Sequence, residues 1–252
     1  MSQAIIHFRE LKVDKSALSA LSNEEVAIYG MLSHISNELN VSSNLLSTTH
    51  RSAEYSNPVS FAKILQHNVL LRTLSANLYE ALDFLDDLRN KPKGVSEELG
   101  DILSQYHSQT GKLRKSIGYS INRNIRNEVA SHYNYSDAKR NARAAQDDLD
   151  ASVYVGSKDG NTYFVFGEQL MFVQRLIRFS EANAKYKDAD ALAEDWLGWS
   201  LNVVKLFKDL HADVFCFVTD KIERQEFRKT HYFVEQNMVT KRNAELLPVF
   251  VE

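Results

Sequence analysis

Arg126 and His132, with five residues between them, bracket the stretch Arg126-Asn127-Glu128-Val129-Ala130-Ser131-His132-Tyr133. These two side-chain types suit the cleavage of a phosphodiester. A guanidinium is permanently charged, and its planar fork can hold a phosphate and stabilise charge that builds up in the transition state. An imidazole exchanges protons near neutrality, accepting from a ribose 2′-hydroxyl or donating to the leaving oxygen. Such a pair needs no metal. Spacing constrains it: in an unbroken helix a separation of six turns two side chains by roughly 240°, onto different faces. The groups converge where the helix ends between them, or where a second subunit supplies the partner. Residues 131–136 (SHYNYS) are rich in turn formers and permit the first arrangement.

The surroundings are basic. Eight cationic residues fall between Lys112 and Arg143 (Lys112, Arg114, Lys115, Arg123, Arg126, Lys139, Arg140 and Arg143), opposed by Glu128 and Asp137. Tyr119, Tyr133 and Tyr135 are interleaved with them. Positive charge attracts phosphates and tyrosine rings stack on unpaired bases, so Arg123, Tyr133, Tyr135, Lys139 and Arg140 are candidate RNA contacts. The segment from Glu80 to Asp101 is acidic, and surface pairs of these basic residues with neighbouring acids explain the charge equally well.

Other chemistry is thinly represented. Neither a Gly-rich phosphate loop nor a His-Glu-x-x-His pair occurs, and the one cysteine, Cys216, rules out an intrachain disulfide and a multi-cysteine metal site. No metal site and no cofactor are expected. Cys216 lies between Phe215 and Phe217 and reads as a buried, inert thiol. The carboxylates Asp83, Asp86 and Asp87, like Asp147, Asp148 and Asp150, read as solvated faces. His34, His50, His67, His107 and His211 read as ordinary surface or core histidines.

The elements that must position these residues are mostly helical. With 9 Gly and 3 Pro in 252 residues, long uninterrupted helices are the natural consequence. Ser22 before Asn23-Glu24-Glu25 is a capped helix start, and that helix fades in the Ser/Thr-rich stretch 42–56. Asn57-Pro58 restarts a helix whose stripe runs through Leu71, Leu74, Leu78, Leu82, Leu85 and Leu88. After Lys91-Pro92-Lys93-Gly94, Ser96 opens another, expected to continue to about Ala130 and, across so short a link, to pair antiparallel with the one before. Ser136 then caps a short polar helix over 137–149. Residues 151–166 alternate about Lys158-Asp159-Gly160-Asn161 and read as a β-hairpin. Helical spacing returns at Leu170, Val173, Leu176 and Ile177, and a last long helix spans about Ala189 to Glu223. Residues 1–21 and 225–252 show no pattern. The expected fold is therefore a mostly α, antiparallel helical bundle with one inserted hairpin: a single helical domain over 22–224 and a C-terminal tail over 225–252.

Hydrophobic residues at 44% and charged residues at 25% are typical of a soluble globular protein. The apolar runs are too short to span a bilayer and the N-terminus lacks the apolar core of a signal peptide, so a cytoplasmic location with no membrane association is expected. A net charge of −3 excludes a uniformly basic nucleic-acid binder but leaves room for a local patch.

On these residues the chain resembles the HEPN (higher eukaryotes and prokaryotes nucleotide-binding) domains, whose signature is an Arg, often followed by Asn or another polar residue, and then a His after four to six intervening residues. Here Asn127 follows Arg126 and an aromatic follows His132. A second match to the spacing, Arg224 with His231, lacks the Asn, the preceding core helix and the basic, tyrosine-rich setting. The resemblance covers about residues 57–150 as an architecture. It implies a metal-independent endoribonuclease, a toxin or antiviral effector in many members. Arg126 and His132 would be the catalytic pair, Asn127 would help orient the site, and two copies would face each other as a homodimer. It also admits an inhibitory partner protein. Members that have lost catalysis imply an alternative: an inactive module that binds RNA, nucleotide or a protein.

Overall fold

The computed structural model describes residues 3–11, 13, 15–49, 57–89, 93–127, 135–145, 149–156, 162–222 and 228–235. It is mostly helical, with a small inserted hairpin. In chain order the elements are β1 (Gln3–Glu10), α1 (Asn23–Ser47), α2 (Pro58–Asp87), α3 (Glu97–Arg114), α4 (Ile117–Ile125), α5 (Tyr135–Ala144), β2 (Val153–Val155), β3 (Thr162–Phe164), α6 (Val165–Glu168), α7 (Gln174–Glu181), α8 (Ala189–Lys221) and β4 (Arg228–Glu235).

The helix starts follow from their caps. Ser22 closes a capping box on α1: its Oγ accepts from the Glu25 N–H at 3.1 Å, and the Glu25 carboxylate accepts from the Ser22 N–H at 2.9 Å. Asn57 Oδ1 accepts from the Val59 and Ser60 N–H groups, with Pro58 in the first turn of α2. The leucine stripe of α2 is buried from Leu71 to Leu85. It packs into one core with Leu32 and Leu39 of α1, Leu99 and Leu103 of α3, Ile121 and Ile125 of α4, and Trp196, Val203, Phe207 and Val214 of α8. Hydrogen bonds between Ser42 and Asn77 and between Thr49 and His67 show α1 and α2 running antiparallel. The long antiparallel partner of α3 is α8, as the contacts Glu98–Lys221, Tyr106–Asp213 and Leu113–Trp199 show.

Several expectations are corrected. The helix opening after Ser96 does not run unbroken toward Ala130. It stops at Arg114, and α4 begins at Ile117 with Ser116 extended before it. Trp199 packs at the break, its indole N–H donating at 3.1 Å to the Leu113 carbonyl, which also accepts from the Ser116 hydroxyl at 2.6 Å. The short polar helix starts at Tyr135, which places Ser136 inside it rather than at its cap, and it ends at Ala144. Cys216 is exposed, because the core-facing stripe of α8 near it is formed by Val214, Phe217 and Val218. Helix-like spacing over 170–177 is realised in two parts, a wide π-type turn at Gln169–Val173 and then α7.

The hairpin forms as expected, with Val153 opposite Phe164 and Val155 opposite Thr162. Its turn, residues 157–161, lies outside the described residues. A second antiparallel pair joins β1 to β4, from Gln3↔Glu235 to Glu10↔Arg228. In the sequence neither stretch alternates cleanly, since Ile5-Ile6 and Tyr232-Phe233-Val234 are consecutive apolar residues. No helix among the described residues is long and apolar enough to cross a membrane.

Candidate functional site

Three helices hold α4 in place. Asn122 is fully buried on it, donating to the Ser75 carbonyl of α2 at 3.1 Å and accepting from Trp196 Nε1 of α8 at 3.2 Å. Ser75 Oγ returns a bond to the Asn122 carbonyl at 3.1 Å. Two residues on, Asn124 accepts from Arg175 Nε of α7 at 2.8 Å. Burial of that arginine, together with the neighbouring Arg178, pushes its pKa down to about 10. These contacts deliver the end of α4 to a defined place.

Arg126 follows Ile125 in a widened turn with Asn127. Its guanidinium lies over the Tyr79 ring, 4.8 Å from the centroid, and pairs with Glu80 at 2.8 Å. Its Nη1 donates to Asn127 Oδ1 at 3.1 Å. The side chain keeps 29% exposure, so it is braced on α2 yet reachable from solvent. Tyr79 stacks in turn on Tyr119, centroids 6.2 Å apart, and Tyr119 packs against Trp199. Arg114 donates to the Tyr119 hydroxyl at 2.6 Å and pairs with both Asp83 and Asp86 at 2.8 Å. Burial raises the Tyr119 pKa. His107 lies 3.5 Å from Asp86.

The charge asymmetry of the sequence is thus partly resolved into pairs. Arg114 and Arg126 meet acids of α2, and Tyr119 is a packing residue rather than a free stacking platform. Asp83 and Asp86 are counter-ions of Arg114 rather than merely solvated. Arg123 on α4 and Tyr135, Lys139 and Arg140 on α5 are exposed, Tyr135 at 81%. Asn141, buried on α5, donates to the Leu170 carbonyl at 2.8 Å. The stretch containing Leu170 and Arg175 therefore supports both α4 and α5.

His132 and Tyr133 lie outside the described residues, as do Glu128, His50, Asp147 and Asp148. Of the second spacing match, Arg224 lies outside them, and His231 sits on β4 opposite His7. His211 is half-buried, stacked on Tyr29 and 3.1 Å from Ser33 Oγ, and burial lowers its pKa. Among the described residues no group of three or more His, Cys, Asp or Glu side chains is arranged to hold a metal ion. Sequence reasoning missed Tyr79 and Glu80. The signal that pointed toward them was the acidic block on α2 and α3 set against the basic block that follows. No family model, curated protein or solved structure matches the chain.

Proposed function

We propose that the protein is a metal-independent endoribonuclease of HEPN type, a toxin or antiviral effector, acting at the end of α4. The observation that carries this reading is the setting of Arg126: a partly exposed guanidinium at a helix end, oriented by Glu80, Tyr79 and Asn127. A pre-oriented fork of this kind suits a phosphate whose charge grows in the transition state. His132 takes the 2′-hydroxyl proton, the 2′-oxygen bonds to phosphorus, and the bond to the 5′-oxygen breaks as that oxygen takes a proton from water, to which His132 later returns its own. A 2′,3′-cyclic phosphate and a 5′-hydroxyl result. Arg123, Tyr133, Tyr135, Lys139 and Arg140 guide the strand, and two copies bring their motifs together across a dimer face. An inhibitory partner would act by covering that groove.

The Arg126–Glu80 pair favours one alternative, in which Arg126 is structural and the protein is a catalytically silent module binding RNA, nucleotide or a protein. One experiment separates them. Purified protein is incubated with unstructured RNA in EDTA beside Arg126→Ala and His132→Ala. Cleavage that both variants lose, with unchanged helical circular dichroism, supports catalysis. Retained RNA affinity without cleavage supports the binding module, and equal cleavage by all three rejects the site.

A further inference from the structure

The last turn of α4 is held from two sides. Asn124 and Arg126 are two residues apart, a step that turns side chains by about 200° on a helix. Arg126 reaches Tyr79 and Glu80 of α2, while Asn124 accepts from Arg175 Nε of α7 at 2.8 Å. Arg175 is only 8% exposed. A guanidinium taken out of water needs its donors committed to fixed partners, and its planar fork makes that commitment stiff.

The segment that carries Arg175 is anchored to the same helix that braces Arg126. Glu168, buried just before the wide turn Gln169–Val173, accepts from Asn68 Nδ2 at 2.9 Å and from Arg72 Nη1 at 2.7 Å, both on α2. Arg72 also lies over the Phe172 ring, 5.1 Å from its centroid. A π-type turn holds more residues than an α-helical one, so it sets the face on which Arg175 leaves α7. The contacts close a circuit. It runs from Asn68 and Arg72 through Glu168 and the wide turn to Arg175, across to Asn124, and on to Arg126. From there it returns to α2 at Tyr79 and Glu80.

We infer that Arg175 is a positioning residue for Arg126, acting through Asn124. It fixes the rotation of the last turn of α4 and so the direction in which the Arg126 fork points. Arg175 does this from within the fold, without touching RNA. The catalytic consequence rests on the function proposed above, in which Arg126 holds the scissile phosphate. The coupling of Arg175 to Arg126 stands apart from it.

Two readouts on the full chain keep these apart. Heteronuclear NMR follows the Arg126 Nε–Hε group, assigned by its absence in Arg126→Lys and displaced by the ring current of Tyr79. Arg175→Met removes the donor and Asn124→Leu the acceptor. Each should move that signal toward its position in Tyr79→Leu, and the double variant should move it no further. Asn124→Asp keeps an acceptor and should leave the signal in place. A signal unmoved in both single variants overturns the inference, whether or not the protein cleaves RNA. Should Arg175→Met fail to fold by circular dichroism, Asn124→Leu and Asn124→Asp still decide it. The second readout is cleavage at saturating RNA in EDTA. Both single variants should lower kcat by about tenfold or more with KM unchanged, as a misaimed catalytic group does, and Asn124→Asp should retain the wild-type rate. Full kcat in both, beside an inactive Arg126→Ala, overturns the inference and leaves the site standing. No cleavage by the wild type rejects the proposed function instead, and the NMR result then decides the inference alone.

Discussion

Trp199 occupies the space that a side chain on Gly118 would need. A Cβ built there lies 2.3 Å from Trp199 Cγ and 2.4 Å from its Cβ. Those atoms stand at the base of the indole, fixed to α8, and cannot swing aside. Gly118→Ala should therefore force α4 away from α8 and cost about 2 kcal/mol, within the range for overpacked cores. Urea unfolding reads this directly. A midpoint equal to that of the wild type would show that the two helices are not packed so closely.

Asn122 is the polar centre of the same contact. Replacing it with Leu keeps the volume but leaves the Trp196 N–H without its acceptor in a dry core. The expected loss is about 2 kcal/mol, set by desolvation of the orphaned group. The double variant Asn122→Leu/Trp196→Phe should lose less than the sum of the two single losses, because the Trp196 N–H is then no longer left without its acceptor. Strict additivity of the two single effects in chemical denaturation would speak against the bond.

Glu25 joins two helix starts, accepting from the Ser22 N–H of α1 and from the Ser96 N–H that precedes α3. Burial alone would raise its pKa, but the hydrogen bonds outweigh burial and hold it below the ordinary value of 4.5. A carboxyl with a depressed folded-state pKa stabilises the fold fully above its ordinary value. That contribution disappears as pH falls through the folded-state value. Glu25→Gln should therefore lower the melting temperature at pH 7 and converge with wild type in strong acid. A gap that widens on acidification would reverse this assignment.

Glu80 competes with RNA for Arg126 under the proposed function. An exposed ion pair is worth at most about 1 kcal/mol, so Glu80→Gln should tighten RNA binding by no more than about fivefold at low salt. Stability should hardly move. Catalysis measured at saturating RNA should fall, since Glu80 also orients the guanidinium. Unchanged affinity and rate would place Arg126 outside the RNA site.

Much of the helical content was legible along the chain. Ser22 and Asn57-Pro58 carry their own capping chemistry, and the leucines from Leu71 to Leu85 define the buried face of α2 whatever packs on it. The hairpin was legible for the same reason: side-chain alternation and turn residues are local signals. The Arg126-Asn127 pairing and its basic setting were also visible as residue types at a spacing.

What lay beyond the sequence depends on residues far apart in the chain. At the stop at Lys115-Ser116 a local partner, Ser116, shares the Leu113 carbonyl with Trp199, which lies more than eighty residues later in the chain. The pairing of β1 with β4 joins the two ends of the described chain through a ladder whose side-chain pattern is irregular. Whether Arg126 is a free cation or a braced one was settled by where α2 places Tyr79 and Glu80. Local propensity and capping act within a few residues, so sequence alone determined the helices and their faces. Which face meets which, and hence which charge is held by which partner, is decided by close packing of the assembled core, and only the tertiary structure contains it.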